Sequence, residues 1–591
     1  MSGEGATEDT NQTRFPHLAP NIIHDPSAET SGLIAGELAA EDGSMISRDN
    51  LISHTYGSVS HGELPKNYAI DDPHGGYALP KAQLYTVVSS LFMASYLAAL
   101  DATVVTTLLS FIASELHAVQ NISWIATAYL LSSAAFQPIF GKISDIFGRK
   151  LLLIGCCFLF GLGCLICVTD SLVWLVIGRF VTGIGGSGLT SIGTMAMSDL
   201  IPLRDRGLYQ GLANIFFGLG SASGGIIGGI IADTLGWKYV FALQVPLAVI
   251  VGVAIQFNLN LPQGSPGLGA HGQDIWQKLK RVDFLGSIFL ISSLMMFLTA
   301  ASLGGKEISY TSNSFLLMTG GSGLFFAAFV FTEIYISEEP IIPIELLGNR
   351  TVLASSLTNW FYTMGVFTTL FYVPVFYTSV KNLTASQNGW RLVPNFLGVS
   401  FGSVGAGYYM KKTGRYYKLA IGAGILSVAG VFKITLLNTS TPTWQQYLLL
   451  IPSGLGYSCM LTVTLLALIA ATPKKFQACT TSIQYTFRST GSTLGVSIAS
   501  AIFMNVLSQQ LTKNVSAIIS DPKLAKRVIS RALDSTSYVN EAPKYVRGAI
   551  RDSYEAGCKG TFYFALLTIF LGFVSSLFMR EHRLHTSINR D

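Results

Sequence analysis

The chain has 591 residues, 50% of them hydrophobic and only 12% charged, with a net charge of +5. Soluble domains carry about 25% charged residues. Most of this chain therefore has to face lipid, which excludes an ordinary soluble globular fold.

The charge is unevenly spread. Residues 1–80 hold twelve acids against Arg14, Arg48 and Lys66, a net of −9 that leaves +14 for the remainder. This stretch lacks helical periodicity and an apolar core. It is expected to be a disordered tail without a cleavable signal peptide, so that the first apolar segment acts as its own insertion signal. Within the tail, Glu29-Thr-Ser-Gly-Leu33-Ile34 fits the acidic dileucine pattern read by sorting adaptors.

Apolar segments of membrane length then follow at about 84–110, 121–141, 151–169, 173–198, 207–232, 238–258, 284–304, 314–335, 353–377, 390–410, 417–437, 445–471, 478–505 and 560–580. They predict an all-α polytopic membrane protein with fourteen transmembrane helices. With the tail placed in the cytosol, fifteen Lys and Arg fall in the inner loops, against Lys238, Lys306 and Lys381 in the short outer ones. That bias puts both termini inside. Sequons at Asn382, Asn438 and Asn514 fall on the outer face as possible glycosylation sites, whereas matches at Asn11 and Asn349 fall inside.

Asp101 lies just past the middle of the first segment. A carboxylate at that depth costs about 3 kcal/mol on insertion scales and needs a wet cavity or a partner. It reads as a proton carrier or counter-ion, or else as a structural inter-helix pair. The loop Gly141-Lys-Ile-Ser-Asp145-Ile-Phe-Gly148-Arg149-Lys150 packs charge between two apolar runs, and Gly407-Tyr-Tyr-Met-Lys411-Lys-Thr-Gly414-Arg415 repeats its spacing. Two such copies imply two related halves. Asp145 and Arg149 suit a conformational latch at helix ends. Lys411 stands where the first copy has Asp145, so the second copy cannot make the same contacts.

Arg179 opens a glycine-rich run in the fourth segment, Gly178 to Gly188. The run matches a dinucleotide fingerprint, but it lies inside a membrane helix with no strand before it, and that reading is rejected. Arg179 and Asp101 fall at similar depth. Gly220, Gly224, Gly225, Gly228 and Gly229 strip side-chain bulk from one face of the fifth segment and suit close helix packing. Arg488 lies about 16 Å into the thirteenth segment. A guanidinium there suits a carboxylate, from a substrate or from a structural partner. Tyr129, Gln137, Asn359, Trp360 and Asn395 are further candidates for cavity-lining groups. Cys164 and Cys167 match C-x-x-C but lie at lipid depth and read as small packing residues. No metal or cofactor is expected, and no H-E-x-x-H, Walker A or G-x-S-x-G pattern points to an enzyme.

The Gly141 loop resembles motif A of the major facilitator superfamily, the Gly178–Gly188 run its motif B, and Gly220–Gly229 its antiporter motif with Gly225 in place of proline. The segment around Leu100-Asp101-Ala-Thr103 and the run from Asn121 to Pro138 resemble the fourteen-helix drug:proton antiporters, above all the fungal vacuolar basic amino acid transporters. The resemblance implies a major facilitator fold with two six-helix halves plus two linker helices. It sets the first and fourth helices along one cavity and so implies that Asp101 and Arg179 interact, so that protonation of Asp101 frees Arg179. The expected bounds are an acidic N-tail (1–82), an N-terminal bundle (83–258), inner loops and linker helices (259–352), a C-terminal bundle (353–580) with a luminal loop at about 506–559, and a C-tail (581–591). It further implies proton-coupled movement of Lys, Arg or His from cytosol into the vacuole. The rival expectations are a plasma-membrane multidrug efflux antiporter, acting on organic cations, and a non-transporting amino acid sensor.

Overall fold

In hydrocarbon a backbone must satisfy its own hydrogen bonds, so apolar segments become helices. The computed structural model describes residues 79–584 apart from 117–122, 262–264, 271–272, 305–307, 384 and 535–537. Glu29, Leu33 and Ile34 lie outside the described residues. Among those described there are fourteen helices of 18 residues or more. The first six are α1 (Lys81–Glu115), α2 (Ser123–Phe147), α3 (Arg149–Ile166), α4 (Leu172–Leu200), α5 (Leu203–Thr234) and α6 (Trp237–Asn258). A pair follows, α7 (Phe284–Leu303) and α8 (Asn313–Tyr335). The last six are α9 (Arg350–Ser379), α10 (Ala385–Thr413), α11 (Tyr417–Thr435), α12 (Ile451–Ala470), α13 (Gln477–Ser516) and α14 (Lys544–Leu577).

Eleven of the fourteen are long and apolar enough to cross a membrane. The other three, α2, α9 and α10, are more polar for a structural reason. Their polar side chains point into the bundle: Ser132 and Gln137 on α2, Thr358, Asn359 and Thr363 on α9, and Asn388, Arg391 and Asn395 on α10 are all buried. Large apolar side chains such as Phe158, Phe257, Leu317 and Phe401 face outward, as a lipid-facing surface requires.

Most of the apolar core divides between the two halves, with a small cluster of Leu131, Ala134, Leu298, Met364 and Leu494 bridging them. Two clusters join residues of α1 to α6, and one large cluster joins α9 to α14. The halves meet along two seams, α5 on α10 and α2 on α13. Helices α7 and α8 pair through Ser293 and Ser322, each hydroxyl donating to the other's carbonyl at 3.0 Å. Helix α7 also packs on α2 and α13.

The stretch 506–559, expected as a loop, is mostly helical. Helix α13 continues to Ser516, α14 starts at Lys544, and a short helix at Pro522–Asp534 lies between them. That short helix turns Ala525, Val528 and Ala532 onto the core, and Tyr554 donates to the Ala532 carbonyl at 2.6 Å. Its exposed face carries Lys523, Lys526, Arg527 and Arg531, which hide the helical apolar spacing in an averaged hydropathy.

Candidate functional site

Asp101 on α1 and Arg179 on α4 are fully buried and paired, with Arg179 Nη1 2.8 Å from each carboxylate oxygen. Glycines make the approach possible. A Cβ on Gly224 of α5 would stand 2.7 Å from the Leu100 carbonyl oxygen and collide with the Thr103 hydroxyl. One on Gly220 would collide with the Tyr96 carbonyl. On α4, a Cβ at Gly183 would lie 2.5 Å from the Tyr129 carbonyl oxygen and one at Gly186 2.8 Å from its hydroxyl. These contacts hold the Tyr129 ring 4.5 Å from the Arg179 guanidinium carbon, with the Phe241 ring at 5.9 Å. Arg179 Nε is buried without a hydrogen-bond partner. The site thus sets one carboxylate against one guanidinium in an aromatic, water-poor cage. Protonation of the carboxylate would leave the buried guanidinium uncompensated apart from the aromatic rings around it, so the charge states of the two groups are tightly linked.

Gly229 does not share the work of Gly220 and Gly224. Gly228 is buried and Gly225 half-buried, while a Cβ on Gly229 would meet nothing within 4 Å.

The Gly141 loop forms a second charged centre, at one end of the first half. Arg149 is buried and donates to Asp145 at 2.7 Å, to Asp199 at the end of α4 at 3.2 Å, and to the Ser144 hydroxyl. Gly148 turns the chain at φ 92°, a conformation that disfavours any other residue. Residues 265–270 lie over this turn, where the Ala270 amide donates to the Ile146 carbonyl at 3.0 Å. Lys150 donates to Asn260 at 3.1 Å. Lys142 pairs at 2.8 Å with Glu339, which follows α8, and Arg281 grips the same carboxylate at 2.7 and 3.2 Å. Gly141 itself is a seam residue, since a Cβ there would lie 2.8 Å from the Ala478 carbonyl oxygen on α13.

The second copy repeats the turn, with Gly414 at φ 67°, but makes different contacts. Lys411 reaches Asp205 of α5 at 3.1 Å, and Arg204 donates to the Lys411 and Lys412 carbonyls at 2.6 and 3.2 Å. A Cβ on Gly407 would sit 2.6 Å from the Leu208 amide nitrogen. At this end, then, the two halves are in backbone contact.

Arg488 lies between the halves. It lines a pocket with Gln210, Asn214, Leu461, Leu465, Gln484 and Tyr485. The Phe217 and Tyr485 rings stand 5.7 and 5.9 Å from its guanidinium carbon, and the Tyr457 hydroxyl adjoins it. No carboxylate among the described residues forms an ion pair with it. Neighbouring α13 residues bond across the seam: Tyr485 with Thr194 at 2.7 Å, and Ser489 with Gln137. Asn359 donates to the Gln484 carbonyl at 3.2 Å.

Asp199, Glu339, Gln210, Asn214, Gln484 and Tyr457 carry no mark in the sequence beyond a polar residue in or near an apolar run. All seven cysteines are buried thiols, and among the described residues no cluster could hold a metal. Among the sequons, Asn382 and Asn438 are exposed, while Asn514 is half-buried in α13 with its amide donating to Ser553 at 3.0 Å. Asn349 caps α9, accepting from the Thr351 amide at 2.9 Å.

Two helical halves with charged turns at one end, a buried ion pair in one half and a polar pocket between them define a multi-pass membrane transporter and not an enzyme. Residues 91–496 match the model of the Major Facilitator Superfamily, and the chain belongs to that family. It is 35% identical over 501 residues to the vacuolar membrane amino acid uptake transporter fnx2 of Schizosaccharomyces pombe, covering 84% of each chain. Identity is 30% to vacuolar basic amino acid transporter 1 of Saccharomyces cerevisiae, over 85% of this chain and 93% of that one. It is 33% to the multidrug resistance protein fnx1 of S. pombe, over 86% and 94%. Among solved structures, the proton:xylose symporter XylE shares the fold with a TM-score of 0.50 and 14% identity, over 82% of this chain and 95% of that one.

Proposed function

We propose that the protein is a proton-coupled antiporter that moves basic amino acids, Lys, Arg and His, from the cytosol into the vacuole by alternating access. The observation that carries this reading is the buried Asp101–Arg179 pair at 2.8 Å. A proton from the lumen neutralises Asp101 and frees Arg179, and loss of that proton to the cytosol restores the pair. All fourteen long helices cross the vacuolar membrane, both termini are cytosolic, and the Gly141 turn acts as the cytosolic latch. The pocket at Arg488 holds the substrate, and Glu29, Leu33 and Ile34 address the protein to sorting adaptors. Two vacuolar amino acid transporters among the relatives support substrate and compartment.

The driving force suffices. Each proton leaving the lumen supplies about 1.4 kcal/mol per pH unit, and one-for-one exchange of a proton for a cationic amino acid moves no net charge. The test is ATP-driven uptake of radiolabelled lysine, arginine and histidine into vacuolar vesicles from cells with and without the protein, with an uncoupler as control. Uptake that needs both the protein and the gradient is expected. Equal uptake in both vesicle types, with the protein present in the membrane, overturns the reading. A multidrug relative at 33% identity makes efflux of organic cations the second reading, and the same vesicles test it with a labelled drug.

A further inference from the structure

Gln210 of α5 and Gln484 of α13 line the Arg488 pocket from opposite halves. Both are buried, and each keeps an amide oxygen with no hydrogen-bond partner. Their orientation is fixed by their other atoms. Gln484 Nε2 donates at 3.2 Å to the Thr464 hydroxyl, which spends its own proton on the Met460 carbonyl at 2.8 Å. Gln210 Nε2 donates to Asn214, whose amide in turn donates to Ser403 at 2.7 Å. A buried oxygen without a donor is costly. The pocket thus holds two acceptors in want of donors beside a guanidinium in want of an anion.

We propose that this pocket binds the zwitterionic head group common to all α-amino acids, the carboxylate on Arg488 and the α-ammonium on the Gln210 and Gln484 oxygens. The proposal rests on the amino acid transport reading above and adds what the substrate site recognises. No acid among the described residues lines the pocket, so it reads the backbone end of the substrate and not a basic side chain. A cation without a carboxylate would place like charge beside Arg488 and is rejected. The site is built from both halves and is flanked by the cross-seam bonds Tyr485–Thr194 and Ser489–Gln137. In this state it admits little more than water, so head-group binding requires those bonds to shift.

The experiment is calorimetric titration of the purified full-length protein with L-lysine, L-norleucine, cadaverine and 6-aminohexanoate, paired with lysine uptake by proteoliposomes. Lysine and norleucine are expected to bind within about tenfold of each other. Cadaverine, which lacks the carboxylate, and 6-aminohexanoate, which lacks the α-ammonium, are expected to bind at least about a hundredfold more weakly. Arg488→Ala should weaken lysine and norleucine alike by about ten- to a hundredfold and, with the like charge gone, strengthen cadaverine, a pattern that mere loss of structure does not give. Cadaverine binding within tenfold of lysine, or no binding by any of the four, overturns the proposal. Norleucine and lysine binding without lysine uptake sinks the transport reading and leaves the head-group site standing. Lysine uptake with equal cadaverine binding does the reverse. If Arg488→Ala does not fold, the wild-type ligand series still decides.

Discussion

Asp101→Asn separates folding from coupling. The native pair closes at 2.8 Å with both side chains out of contact with solvent. Removing one charge from a buried pair costs about 3–5 kcal/mol, because the other is left uncompensated. Asparagine keeps one oxygen facing Arg179 Nη1, and the Tyr129 ring remains 4.5 Å from the guanidinium. The loss therefore falls at the lower end, about 3 kcal/mol, and shows as a lowered melting temperature of the purified protein. The effect on transport is all or none, because an amide carries no proton. In proteoliposomes with a gradient of two pH units, one-for-one exchange supplies about 2.7 kcal/mol, about a hundredfold accumulation of lysine. Asp101→Asn should bring labelled lysine only to equal concentrations on both sides while lysine–lysine counterflow persists. The double variant Asp101→Asn/Arg179→Gln should recover stability without accumulation. Hundredfold accumulation by Asp101→Asn would show that the coupling proton travels elsewhere.

Gly224→Ala should lower stability by about 1–3 kcal/mol through its clash with Leu100 and Thr103, whereas Gly229→Ala, with open space around it, should stay within about 0.5 kcal/mol of wild type in thermal unfolding. Arg149→Gln leaves Asp145 and Asp199 without their cation and should cost about 3 kcal/mol, with counterflow slowed in both directions. Glu339 tests pH dependence. Burial pushes its carboxyl up, but hydrogen bonds and charge from Arg281 and Lys142 outweigh burial and hold it below the usual glutamate range. The clasp is therefore at full strength above about pH 4.3 and is lost as pH falls through the lowered value. Glu339 is partly exposed, so the contribution stays below about 1 kcal/mol, and the melting-temperature gap between wild type and Glu339→Gln at pH 7 should close in acid.

Much of this was legible because the bilayer punishes exceptions. Apolar segments had to become helices, and charges at depth had to find partners; similar depth, with the resemblance that sets the first and fourth helices along one cavity, brought Asp101 and Arg179 together. Rotation about each helix axis was not legible. Five glycines mark the face of α5, yet only the phase of α5 against α1 makes Gly220 and Gly224 contact residues and leaves Gly229 free. The same holds for Asp199, fifty positions from Arg149, and for Tyr129, which stacks on Arg179 from a different helix. The helix at Pro522–Asp534 was hidden for another reason. Its apolar residues Ala525, Val528 and Ala532 recur at helical spacing, but four exposed cations mask them.

The distribution of strong and weak contacts says where the molecule can part. The buried pairs, Asp101–Arg179 and Arg149–Asp199, lie wholly within the first half. The bonds across the seams are of another kind. Lys411–Asp205 is an exposed ion pair, worth less than about 1 kcal/mol. Thr194–Tyr485, Gln137–Ser489 and Asn214–Ser403 are neutral hydrogen bonds, each worth about 0.5–1.5 kcal/mol net. Together they amount to a few kcal/mol. Carrying a two-state equilibrium from 1:99 to 99:1 takes about 5.5 kcal/mol, so a ligand that binds one state preferentially can outweigh them. Parting the halves along α5/α10 and α2/α13 breaks these weak bonds, the exposed Arg204 bonds to the Lys411 and Lys412 carbonyls and a small apolar contact of Leu131 and Ala134 with Met364 and Leu494, whereas motion within the first half would have to break a buried ion pair. That hierarchy favours rigid-body rocking of one half against the other and puts Arg488, between two of the weak bonds, where an arriving carboxylate would act on both.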